Sequence, residues 1–220
     1  MARRKDLGEE VRIVLQRLIV IARLPRGLAD RTVVGAHYEK LTFQLNKQYK
    51  WDHVTGLLLI YPSCVLHVVE SSGEVLVSVL KDLNDMQRQA DCALLEAPKV
   101  VFMAHNPQSR LFQQWSYQVL EAEPEAKRLE EEEKSTETLV CVVLSALQKL
   151  GEHLELSKAP PGSVLTETPE LIVPQKVINK LLARDELQTP QQHLQMYNSP
   201  LNISTDLTGQ AFQSSCLTMV

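Results

Sequence analysis

Two apolar runs, residues 54–60 and 65–69, flank a break at Tyr61-Pro62-Ser63-Cys64 and are the most concentrated hydrophobic stretch of the chain. Each has the length of a buried strand, and proline presets one turn dihedral, so residues 54–70 predict a central β-hairpin. Ser71-Ser72-Gly73-Glu74 then ends the strand and offers an N-cap to a helix over about 73–88, with Leu76, Val79, Leu80 and Leu83 on one face. Upstream, residues 11–23 are β-branched and apolar and stop at Leu24-Pro25-Arg26-Gly27, which predicts a long first strand. Asp30 or Thr32 caps the helix that follows, whose apolar positions Val34, Tyr38, Leu41, Leu45 and Tyr49 recur at three- and four-residue steps. Residues 90–98 fit neither period. Residues 99–105 read as a further strand stopped by Asn106-Pro107, and 115–120 alternate as an edge strand does.

The order β-α-β-β-α-β plus one strand predicts an α+β, ferredoxin-like domain over residues 11–121, with two helices on one face and a loose lead-in over 1–10. Beyond it, Pro124 and the acidic residues after it suit a helix start, so one amphipathic helix is expected over 122–157. Its stripe of Leu139, Val143, Ala146, Leu147, Leu150 and Leu154 must lie on the open face of the sheet or on another chain. Residues 158–220 are expected to form a linker, a short helix near 175–184 carrying Val177, Leu181 and Leu182, and an irregular tail rich in Gln, Ser, Thr and Asn.

Composition narrows the function classes. The chain has 220 residues and 44% hydrophobic content, enough for one full core. A net charge of −4 gives no general attraction to phosphate, and the hairpin offers no exposed aromatic pair for base stacking, so nucleic-acid binding is not expected. Four scattered cysteines without a CxxC suit reduced thiols and a cytoplasmic setting. The N-terminal apolar run is far short of the roughly 20 residues that span a bilayer.

No Gly-rich phosphate loop, nucleophile elbow or zinc helix occurs, and the six histidines have no metal-ligand spacing, so neither an enzyme nor a metal site is expected. Glu70, Asp82 and Asp85 form no paired-carboxylate arrangement and read as ordinary strand-end or helix-surface acids. His67, among Val65, Leu66, Val68 and Val69, reads as a hydrogen-bonded histidine on a covered sheet face, the alternative being a group aimed into a ligand cavity. Thr218 and Val220 have the spacing that strand-adding peptide grooves accept at a C-terminus. They join Leu139, Val143, Leu147, Leu150 and Leu154 as candidate partner-binding positions.

Val54-Thr55-Gly56-Leu57-Leu58-Leu59, then Val68-Val69-Glu70, then Arg110-Leu111-Phe112-Gln113-Gln114-Trp115 resemble the signature segments of the BLUF family, blue-light sensors that hold a flavin in a ferredoxin-like fold. The resemblance covers about residues 12–121. It implies that the family's photochemical tyrosine, flavin-binding asparagine and switching glutamine fall at Val20, Tyr49 and His67. None of the three keeps its chemistry, so the resemblance implies a retained fold that has lost its photochemistry, with no cofactor. The complete chain also resembles a group of vertebrate testis-expressed proteins with such a degenerate sensor domain. That likeness implies a male germ-cell setting and a place in the sperm flagellum. The expected function is therefore a non-enzymatic scaffold with protein partners, axonemal ones among them, the alternative being a residual flavin- or small-ligand-binding sensor.

Overall fold

The computed structural model describes residues 14–88, 93–120, 134–157, 164–165 and 167–197. Chain order is β1 (Gln16–Arg23), α1 (Thr32–Gln48), β2 (Thr55–Ile60), β3 (Cys64–Ser71), α2 (Gly73–Arg88), β4 (Glu96–His105), β5 (Trp115–Val119), α3 (Thr136–Ser157), a 3-10 turn (Pro169–Leu171), α4 (Gln175–Leu182) and α5 (Pro190–Tyr197). The five strands form one sheet in the order β4-β1-β3-β2-β5. β1 pairs antiparallel with β3 and β4, β2 pairs antiparallel with β3, and β5 lies parallel to β2. The first four strands with α1 and α2 make the ferredoxin-like α+β unit, and β5 extends its edge.

Strand alternation splits the core into two layers. Leu18, Val20, Leu58, Ile60, Val65 and Val69 face α1 and α2, where they meet Val34, Tyr38, Leu76 and Leu80. Ile19, Ile21, Leu57, Leu59, Leu66 and Val68 face the other way, onto α3 and α4. Since both faces are covered, the central strands read as unbroken apolar runs, and no polar alternation marks them in the sequence. Leu139, Val143, Leu147 and Leu150 of α3 are at most 1% exposed, and Leu154 packs at the border of the same layer. This corrects their assignment as partner-binding positions. The stripe closes the chain's own sheet.

Other boundaries differ from the sequence reading for local reasons. β1 starts at Gln16, with Val14 exposed before it, and residues 11–13 lie outside the described residues. β4 starts earlier than expected, at Glu96, and ends where Asn106 adopts a left-handed backbone that asparagine tolerates. α3 begins at Thr136, where the Ser135 hydroxyl accepts the Thr138 N–H, and the acidic segment over 121–133 lies outside the described residues. The expected irregular tail contains α5. Thr189 Oγ1 accepts the Gln192 N–H, Gln192 Oε1 accepts the Thr189 N–H, and Pro190 occupies the first helical position: a capping box that the polar composition obscured. Cys141 is disulfide-bonded, against the expectation of thiols throughout, because cysteine spacing carries no information on distant pairings.

Candidate functional site

Two clusters of polar side chains sit at the centre of the fold. The first is built from the residues that carry the signature motifs. Glu70, at the end of β3, is 0% exposed. Arg17 Nε donates to its Oε1 at 2.7 Å and Thr55 Oγ1 to its Oε2 at 3.1 Å. The backbone N–H groups of Leu111 and Phe112 donate to the same carboxylate at 2.8 and 3.1 Å. Arg110 Nη1 donates to Thr55 Oγ1 at 3.0 Å and to the Glu70 carbonyl at 2.8 Å, while its Nη2 lies 3.4 Å from Asp52 Oδ1. Asp52 Oδ2 in turn accepts the Ser71 hydroxyl at 2.8 Å and the Ser72 N–H at 2.6 Å.

The network ties the turn after α1, the end of β3, the start of α2 and the loop before β5 to one another. A carboxylate that accepts charge-assisted and backbone hydrogen bonds from several directions at once acts as a strong strut. Glu70 is therefore a buried, paired group and not the ordinary strand-end acid its sequence position suggests.

The second cluster lies between the sheet and the α1–α2 layer. His67 pairs across the sheet with Val20 and with Leu58, both on the α1–α2 face, so its imidazole points there too. Trp115 Nε1 donates to His67 Nε2 at 3.0 Å, which leaves Nδ1 to carry the proton of the neutral ring. The Tyr38 ring stands edge-on to the imidazole, centroids 4.6 Å apart. His37, edge-on to Tyr38 at 5.0 Å, bonds across to Asp82 of α2 at 3.0 Å. Burial, reinforced by the neighbouring His37, pushes the His67 pKa down to about 3. Burial likewise raises the Tyr38 phenol well above its ordinary range. The Tyr38 hydroxyl and His67 Nδ1 are buried without a hydrogen-bond partner among the described residues.

The structure thus brings Val20 and His67 side by side. Tyr49 is the C-cap residue of α1, its N–H donating to the Leu45 carbonyl at 2.8 Å. Thr218 and Val220 lie outside the described residues. The partners Tyr38 and Trp115 were hidden in plain helical and strand patterns, and only the pairing of β2 with β5 sets Trp115 within reach of His67. Among the described residues no group of three or more His, Cys, Asp or Glu side chains converges as metal ligands do, and no helix is long and apolar enough to cross a membrane.

The sequence profile of the family described as testis-expressed protein 47 matches residues 14–199. Among solved structures, the BLUF domain of BlrP1 is similar over 50% of this chain and 66% of its own, at 16% identity and a TM-score of 0.37. BlrB, a BLUF protein in its dark state, is similar over 49% of this chain and 73% of its own, at 15% identity and a TM-score of 0.36. Klebsiella pneumoniae BlrP1 in a manganese and cy-diGMP complex at pH 6 is similar over 48% of this chain, at 17% identity and a TM-score of 0.36. This chain spans 24% of that longer protein's length.

Proposed function

The chain belongs to the testis-expressed protein 47 family, and from that membership we propose that it is a non-enzymatic structural and interaction protein of male germ cells, a component of the sperm flagellum that holds no flavin. The observation that carries this reading is the filling of the α1–α2 face by the chain's own rings. Tyr38 is fully buried against His67, and Trp115 is bonded to that histidine. Tyr117 lies so close to α1 that a Cβ on Gly35 would fall 2.3 Å from its ring. An isoalloxazine placed there would have to displace several aromatic side chains, and the residues present do not fit it. What is left is a rigid sheet covered on both faces, a platform that holds surface groups in fixed relation. The flagellar placement extends the family's description to a large, permanent assembly of the male germ cell.

A second reading, a residual sensor of a small ligand, is favoured by the unpartnered Tyr38 hydroxyl and His67 Nδ1, buried polar atoms of the kind a ligand would satisfy. Detergent extraction of sperm followed by an absorption spectrum of the chain recovered from the flagellar pellet separates the two. The expected result is retention in the pellet and no visible flavin band. Release with the detergent-soluble proteins would remove the flagellar assignment, and a stoichiometric yellow chromophore would establish the sensor instead.

A further inference from the structure

With the α3 stripe consumed by the core, a docking function needs another surface, and the solvent side of α1 supplies one. Apolar residues occur on both sides of this helix. Val34, Tyr38 and Leu45 face the sheet, while Val33 and Phe43 are exposed, Phe43 by 59%. On a 3.6-residue period Val33, Lys40, Phe43 and Lys47 share one outward stripe, with Glu39 at its border. Lys47 Nζ sits 4.3 Å from the centroid of the Phe43 ring, a cation–π contact that holds both side chains in place.

Just past the helix, Lys50 is exposed and Trp51 is 88% exposed. That tryptophan is projected by a loop that is tied down. The next residue, Asp52, is buried in the Glu70–Arg110 network, its N–H donates to the Tyr49 carbonyl at 3.0 Å, and the Val54 N–H donates to Asn46 Oδ1 at 2.8 Å. Anchoring Asp52 inward turns Trp51 outward. So large an apolar surface left in water gains nothing from folding and remains available for burial against a partner, and tryptophan is enriched among the anchors of protein interfaces.

We propose that Val33, Lys40, Phe43, Lys47, Lys50 and Trp51 form a docking surface for an acidic polypeptide segment that carries apolar side chains. The inference rests on the interaction reading above and names the class of partner. Charge complementarity selects it: three lysines and two exposed rings lie on the outward stripe of α1 and in the turn just past it, on a chain of net charge −4. The same overall charge disfavours an anionic bilayer, which meets the whole protein's field, whereas a short acidic segment meets only the local one. Exposed rings close in sequence to lysines pair hydrophobic anchoring with steering by charge.

The test uses the full chain and a fluorescently labelled synthetic peptide of glutamates interleaved with leucine and phenylalanine, with binding followed by anisotropy at low and high salt. The expected result is binding that weakens with salt and falls by about tenfold or more in the Phe43→Ala/Trp51→Ala variant. Lys40, Lys47 and Lys50 changed together to Glu should weaken it as far, and the thermal midpoint should stay put in both variants. Equal binding by wild type and variants, no binding at all, or binding of phosphatidylserine vesicles in place of the peptide would each overturn the proposal. So would concentration-dependent dimerisation that the double variant abolishes, since the occupant would then be a second copy. A negative peptide result in a flavin-free chain retained by the flagellum would reject this surface while leaving the scaffold reading intact.

Discussion

Replacing Glu70 with alanine is expected to cost about 3–5 kcal/mol of folding stability, the range for removing one partner of a buried ion pair. The change strips the Arg17 guanidinium of its carboxylate and leaves the Leu111 and Phe112 N–H groups without an acceptor in a buried place. It also removes the acceptor for the Thr55 hydroxyl, which itself receives Arg110. Glu70→Gln keeps the shape and part of the accepting capacity and should cost less. Thr55→Val, which deletes one uncharged link, is expected to cost about 1 kcal/mol. Urea unfolding of the three variants checks the ranking. If Glu70→Ala unfolds at the wild-type midpoint, the network does not hold the loop before β5.

Leu147→Asp is expected to be at least as damaging, on the order of 4 kcal/mol or more, because it puts a carboxylate with no partner among Ile21, Leu57, Leu66 and the helices over them. Leu147→Ala should cost about 2–5 kcal/mol through lost burial and the cavity left behind. Both losses should appear in the isolated chain as a lower denaturant midpoint. A Leu147→Asp chain with unchanged stability that fails only to recover a partner would mean that the stripe of α3 faces outward.

Periodicity made most of the architecture legible. The hairpin, α1, α2, the edge position of β5 and the sheet order implied by β-α-β-β-α-β all follow from where apolar runs start and stop. The apolar stripe of α3 was equally plain. Its destination was not, since amphipathicity shows that a face is buried and is silent on what buries it. α5 was missed because a Gln-rich composition outweighed the Thr189-Pro190-Gln191-Gln192 cap.

At the site, His67 could be placed on a covered face from its neighbours alone. Its bond to Trp115 required the parallel pairing of β2 with β5, a long-range contact with no local signal. Glu70 was undervalued for the same reason, because the arginines that hold it lie 53 and 40 residues away in sequence. Nothing local in the sequence marks Trp51 as exposed; its outward position follows from the long-range anchoring of Asp52.

The closed face between α1 and α2 also predicts how stability varies with pH. An unfolded His67 titrates near 6.5 and the folded one near 3, so between those values the unfolded chain binds a proton that the folded chain refuses. Stability should therefore fall as pH drops through that window, by up to about 1.4 kcal/mol per pH unit from this group. His193, lowered by its own burial, adds in the same direction. Nitrogen NMR of the His67 ring reads the face itself, in an acid titration and after addition of flavin mononucleotide. The prediction is a neutral ring protonated on Nδ1 down to a pKa of about 3, with no response to the flavin. Titration near 6.5, or a shift of the ring signals when flavin is added, would show that the face is open and that the chain still has room for the ligand.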